Sequence, residues 1–389
     1  MKPAPSLLAC LFLLQPSLRA AEEDGWVSLF NDKDLSNWVN VNCAPETWKA
    51  EDGVIKCTGT PTGALRLPRQ YENFIFELDW RHLKEGGNAG IFVWASPVAA
   101  PGVPFLRAIE VQVLDNGYNP EGKNKFYTTH GDVFPIHGSS MQPIYKGNGQ
   151  RCFPIEERSK SAPEWNHYRI EANQGKLRLS VNGKEVSGGD NCLWKKGFLG
   201  LESEGSPTEW KNLRLKELPP SGAPEADSAP EDLGWKSLYN GLDLRGFTAS
   251  LEGKTQWKAT DWVLSAPKDP NPEDKLTLPL PHESFELTLD WNAGNGSGEK
   301  TPPTLTLQDA NGQTVEIDLL KTLPDPTKRD GWHRLSLTRK NGSGKIWLGT
   351  NPQTEISGKD LATVRVWSLI LSSPAAPRQL ANFYIRELK

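Results

Sequence analysis

The ten residues 129–138, THGDVFPIHG, place His130, Asp132 and His137 in one stretch marked by glycine and proline, in a chain with only six histidines. Imidazoles titrate near neutral pH. With a carboxylate beside them they can act as acid, base or oxyanion donor, or bind a divalent metal ion. A polar surface loop without chemistry is the competing reading. Just upstream, the alternation in AIEVQVL sends Val111 and Val113 to one face and Glu110 with Gln112 to the other, the latter two roughly 7 Å apart on the rise of a strand. If the valines enter a core, Glu110 and Gln112 line an outer, concave face. Asp115 follows at the strand end, in an Asp-Asn-Gly turn. Paired with Glu110 it would make an ordinary glycosidase acid pair, although a regular strand turns it to the opposite face.

The elements that must position these residues are written twice. GWVSLFNDKDLSNWV from Gly25 is echoed by GWKSLYNGLDLRGFT from Gly234, YENFIFELDW by HESFELTLDW, and KNLRLKEL by ANFYIREL. PPSGAPEADSAPED between the copies has the composition of a linker. The reading is therefore a leader (1–21), a first domain (22–218), a linker (219–232) and a degenerate second copy (233–389). Phe74, Phe76, Leu78 and Trp80 alternate with Ile75, Glu77, Asp79 and Arg81, the period of a half-buried strand. Asn182-Gly183 supplies a tight hairpin. Many short strands with turn signals predict an all-β protein of two tandem jelly-roll β-sandwiches. Trp80 to Trp165 spans 85 positions and the matching Trp291 to Trp332 only 41, so the first copy carries about 44 extra residues. They include Glu110 and the histidine loop. The second copy keeps only TLTLQDANG there, with Thr306 where a glutamate might stand, and reads as scaffold.

A net charge of −4 gives no basic field for nucleic acid. Beyond the N-terminus no run reaches the roughly 18 apolar residues of a membrane helix. Lys2, the apolar run Leu7–Leu14 and the small residues Ala20 and Ala21 read as a secretory signal, so a secreted or periplasmic location is expected. In such an oxidising compartment Cys43 is expected to pair with Cys57, and Cys152 with Cys192. Fifteen Trp with 35 Gly and 31 Pro fit β-structure. Trp serves there either as core filler or as a platform for sugars.

Several motifs occur in order: GWxxLFNxxDLxxW, WxxEDGVIxCTG, YENFxFELDWR, GGNAGIFVW, EVQVLDN, PEWNHYRI, VNGKEV and LGLESEG. Together they resemble the 3-keto-disaccharide hydrolase family of concanavalin-like sandwiches, over residues 24–218. The resemblance implies hydrolysis of glycosides already oxidised to a ketone at C3, with an oligosaccharide or glycoside as the substrate partner. A C3 ketone acidifies the C2 hydrogen, so one base can remove it, the C1 substituent can leave by elimination, and water can then add. On that reading Glu110 is the base or a metal ligand. Gln112, Asn88 and His137 hold the sugar or the enolate oxygen, Asp115 also contacts the substrate, His130 and Asp132 assist, and Trp94 stacks on the ring. A divalent metal ion, if used, would draw on Glu110, His130, Asp132 and His137. The alternative is a non-catalytic, lectin-like tandem that binds polysaccharide through exposed Trp.

Overall fold

Alternating apolar residues along Phe74–His82 bury Phe74, Phe76, Leu78 and Trp80 and leave Ile75, Asp79 and Arg81 less covered. This strand is the centre of a nine-stranded antiparallel sheet, flanked by Asn166–Asn173 and Thr208–Glu217. A second, eight-stranded sheet packs against it. Its middle strands are Ala108–Leu114, Asn88–Ala95 and Phe198–Ser203, with Val133–Ile136 beyond the first of these. Ile91, Ile109, Val111, Val113 and Val133 face Trp80 and Tyr168 across the core, where the two aromatic rings meet edge to face at 5.2 Å.

The computed structural model describes residues 25–119, 124–128, 130–267, 271–292, 304–317, 331–340, 346–348, 354–355, 367–372 and 379–389. The leader at 1–21 lies outside the described residues. Among those residues the only helical pieces are short 3-10 turns. The chain is all-β, built as two sandwiches. The second draws its sheets from the strands between Lys236 and Glu387, around Phe285–Asn292 and around Trp367–Ser372.

The internal repeat extends to individual hydrogen bonds. Asn31 Nδ2 donates to Asp34 at 3.0 Å, and Asn240 Nδ2 to Asp243 at 2.7 Å. Asn212 and Asn382 share a left-handed backbone (φ 53°), and each donates at 2.6 Å to the matching carboxylate, Asp79 or Asp290. In the second copy this cluster does further work. Asp290 accepts from Gly102 N at 2.8 Å, Arg334 donates to Ala99 O at 2.9 Å and Asn382 to Val103 O at 2.9 Å. The second sandwich thereby grips the loop that follows Asn88–Ala95 in the first.

The segment 219–232 does not run free. Asn73 donates to Pro219 O, Gln70 to Ala229 O, and fully buried Arg66 pairs with Asp232 at 2.5 Å. Its proline-rich composition is used to lie along the first sandwich.

The expected disulfides are not formed. All four cysteines are buried free thiols. Three of the sulfurs have polar neighbours: Cys43 Sγ faces Pro61 O, Cys57 Sγ accepts from Gly59 N, and Cys152 Sγ faces Phe153 O. Burial raises the Cys57 thiol to about 11 and the Cys192 thiol to about 12. They fill the core as small apolar side chains.

Candidate active site

On the outer face of the eight-stranded sheet, Phe92 pairs with Glu110, Gly90 with Gln112, and Glu110 in turn with Phe134. Register thus aligns Asn88, Glu110, Gln112 and Phe134 on one side, while Val111 and Val113 are in the core. The side chains line a cavity of about 230 Å³, below the roughly 300–1,000 Å³ of drug-sized sites and on the scale of one sugar ring. Phe105, Tyr118, Tyr127, His137, Arg151, Glu202 and Glu204 complete its wall.

Three carboxyls meet here. Glu110 is 6 % and Glu202 1 % exposed, and Gly90 lies between them. A Cβ at that glycine would stand 2.7 Å from Glu202 Oε2 and 2.9 Å from Glu110 Oε1. Burial, and then the charge of Glu204, drives Glu110 up to about 8, against the pull of Arg151. Burial and the Glu110 carboxyl push Glu202 well above its usual range, and burial holds Glu204 at about 7. Like charges in a dry pocket cannot all ionise together, so the cluster holds protons at neutral pH. The Glu110 carboxyl makes no hydrogen bond to protein among the described residues, so its oxygens remain available to a ligand.

A polar chain runs along one side of the pocket. Asp132 pairs with Arg151 at 2.9 Å, Arg151 donates to Gln112 Oε1 at 3.3 Å, Gln112 donates to Asn88 Oδ1 at 3.0 Å, and Asn88 to Glu204 Oε2 at 2.5 Å. Arg151 also lies over the Phe134 ring, 3.3 Å from its centroid. These contacts fix the amides of Asn88 and Gln112 and set a guanidinium in the wall. His137, held at a left-handed φ of 50°, stacks on Phe105 with the rings 5.7 Å apart and 7° from parallel. Partial burial lowers its basicity, so the imidazole is neutral at pH 7 and can donate one N–H.

The remaining sequence-derived residues lie elsewhere. His130 is 2 % exposed, accepts the backbone N–H groups of Arg158 and Ser159, and is lowered to about 4 by burial. It belongs to the loop's interior. Asp132 is fully buried, held by Thr128 and Arg151, so it supports the wall through Arg151. Trp94 is fully buried and donates to Glu72 O, which corrects its reading as a stacking platform. Asp115 accepts from the backbone of Gly86, Gly117 and Ala162 and caps the turn Asn116–Tyr118, so it forms no acid pair with Glu110. Its carboxyl is lowered against the effect of burial by those same N–H groups. His82 is buried too, with its Nε2 2.7 Å from Val113 O. Glu110, His130, Asp132 and His137 therefore do not converge. Among the described residues no group of three or more His, Cys, Asp or Glu is arranged to hold a metal ion.

Glu202, Glu204 and Arg151 were not singled out as site residues from sequence. The signal for the first two was present in LGLESEG, where a charged residue interrupts a strand that is otherwise buried throughout. A buried, unpaired acid is expensive unless it has a task.

Residues 25–216 match the family model described as the 3-keto-alpha-glucoside-1,2-lyase-like domain. This half of the chain belongs to that family. A 3-keto-disaccharide hydrolase of Bacteroides thetaiotaomicron is 26 % identical over 249 residues, covering 52 % of this chain and 84 % of that protein. Among solved structures, one from Parabacteroides distasonis is 22 % identical with a TM-score of 0.40, covering 50 % of this chain and 94 % of its own. A β-glucanase of Bacillus licheniformis is 13 % identical with a TM-score of 0.29, covering 51 % and 100 %. The family places the first sandwich among carbohydrate-active hydrolases.

Proposed function

We propose that the first sandwich cleaves 3-keto-glycosides by elimination and hydration, with Glu110 as the base. The observation that carries the reading is the Glu110 carboxyl: buried, raised to about 8, and without a hydrogen-bond partner among the described residues, in a ring-sized pocket. A carboxylate of that basicity is matched to a C–H made acidic by an adjacent ketone, and it is a stronger base than a solvated glutamate. Glu110 takes the C2 proton, and the C2–H electrons form the enolate on the C3 oxygen. The enolate then collapses, re-forming the C3 carbonyl and forming the C1=C2 double bond as the C1–O bond breaks. The leaving oxygen takes a proton from the carboxyl cluster. Water adds at C1 and a proton returns to C2, giving the free 3-keto sugar. Arg151 and neutral His137 are the donors available to the enolate oxygen, and Asn88 with Gln112 are suited to ring hydroxyls.

The polysaccharide-binding alternative required exposed Trp, and no Trp of the first sandwich is exposed. The leader and the residues around it support export as a proposal from sequence. The test is to offer the purified protein a 3-keto disaccharide and its unoxidised parent. Release of the 3-keto monosaccharide and its partner sugar from the oxidised substrate, with no cleavage of the parent, is expected. Equal cleavage of both, or of neither, would overturn the reading.

A further inference from the structure

His137 lines two cavities. Besides the pocket around Glu110 it borders a larger groove of about 480 Å³ between the two sandwiches. One wall is the loop from Ser96 to Pro101 with Trp194. The other combines the end of the linker, at Leu233 and Trp235, with Thr288 and Arg334 of the second sandwich. We propose that this groove is the leaving-group subsite, and that it takes an aryl-bearing aglycone whose glycosidic oxygen lies at His137. The inference rests on the 3-keto-glycoside reading of the neighbouring pocket.

Continuity through His137 gives the groove its place in the reaction, because whatever is attached at C1 of a sugar in the small pocket must leave it on one side. The wall chemistry selects the occupant. Trp194 and Trp235 are half-buried, and Leu233 is 52 % exposed, a large apolar side chain held open to solvent. Three polar side chains of the wall are already engaged. Ser96 Oγ donates to Val98 O, Thr288 Oγ1 to Leu335 O, and Arg334 holds Asp290 and Ala99 O. A second hexose needs several partners for its hydroxyls and would find these three taken. A flat apolar ring needs none. Arg107, stacked 3.8 Å from the Trp194 ring centroid, has a buried Nε with no acceptor among the described residues and offers one donor to an oxygen on that ring. The groove is also built to keep its shape. Buried Arg66 ties Pro97 O to Asp232, and the second sandwich grips the loop at Ala99, Gly102 and Val103.

The experiment compares 2-phenylethyl and ethyl 3-keto-glucosides, whose alkoxide leaving groups have nearly equal basicity, so that a difference in kcat/KM reads binding of the ring. The full chain should prefer the phenylethyl compound by tenfold or more, on the scale of about 10- to 200-fold that a small apolar contact confers in a pocket. Leu233→Glu, at an exposed position that cannot disturb the core, and Trp194→Ala should each erase most of that preference and leave the ethyl compound's kcat/KM unchanged. Equal kcat/KM for the two substrates, or equal losses on both in the variants, would overturn the subsite while the function stands. No turnover of either substrate by the folded chain would overturn the function and the subsite with it.

Discussion

Glu110→Gln should separate stability from activity in opposite directions. In the folded chain the Glu110 carboxyl keeps its proton to about 8, whereas in the unfolded chain it ionises near the ordinary glutamate value of 4.5. Between those values the fold binds more protons than the unfolded chain, so the wild type loses stability as pH rises from about 4.5 to about 8 and levels off above that. Raising the carboxyl from 4.5 to about 8, at 1.36 kcal/mol per pH unit, sets a ceiling of roughly 5 kcal/mol. Part of the shift comes from Glu204 and is shared with it, so a few kcal/mol is the expected difference. Gln does not titrate and keeps the size of the protonated acid. Urea unfolding of both proteins should give similar stabilities at pH 4.5 and a variant more stable by about 2–4 kcal/mol at pH 9. Turnover of a 3-keto-glycoside should be abolished throughout. Parallel pH profiles for the two proteins, or a variant less stable at pH 9, would refute the argument that this acid is held against its solvation.

Gly90→Ala should fold, because the atoms its Cβ meets are the ends of glutamate side chains, but it displaces Glu110 and Glu202 and should lower kcat by about a hundredfold or more in a steady-state assay. Asp115→Ala should do the reverse, costing roughly 2–4 kcal/mol in thermal or urea unfolding as three backbone donors lose their acceptor, while the active fraction keeps near-normal kcat. Thiol titration should find Cys43, Cys57, Cys152 and Cys192 unreactive in the native protein and all free after unfolding without reductant. Fewer than four thiols in the unfolded protein would restore the disulfide pairing.

What the sequence made legible was whatever obeys a local period. The alternation of AIEVQVL was enough to put Glu110 and Gln112 on the face opposite Val111 and Val113, and the repeat was enough to find the two sandwiches. Residues brought together from distant strands were less visible. Arg151 reaches the pocket from beyond the histidine loop, and Glu202 stands across Gly90 from Glu110 only because the strands Asn88–Ala95 and Phe198–Ser203 are neighbours. The errors share one cause. Asp115, His130 and Trp94 are residue types that do chemistry, but each is consumed by the backbone: the first caps a turn, the second accepts two N–H groups, and the third donates to a carbonyl. Composition cannot distinguish a polar group that serves a ligand from one that satisfies its own loop. The fate of its hydrogen bonds can.

The central claim is that Glu110 removes the C2 hydrogen. Its most direct test is a 3-keto-glycoside carrying deuterium at C2, turned over once by excess enzyme in ordinary water. The account predicts a primary isotope effect on the chemical step and loss of the label to solvent in the released 3-keto sugar. Full retention of deuterium at C2 with no isotope effect would contradict it, and would require direct displacement at C1 instead.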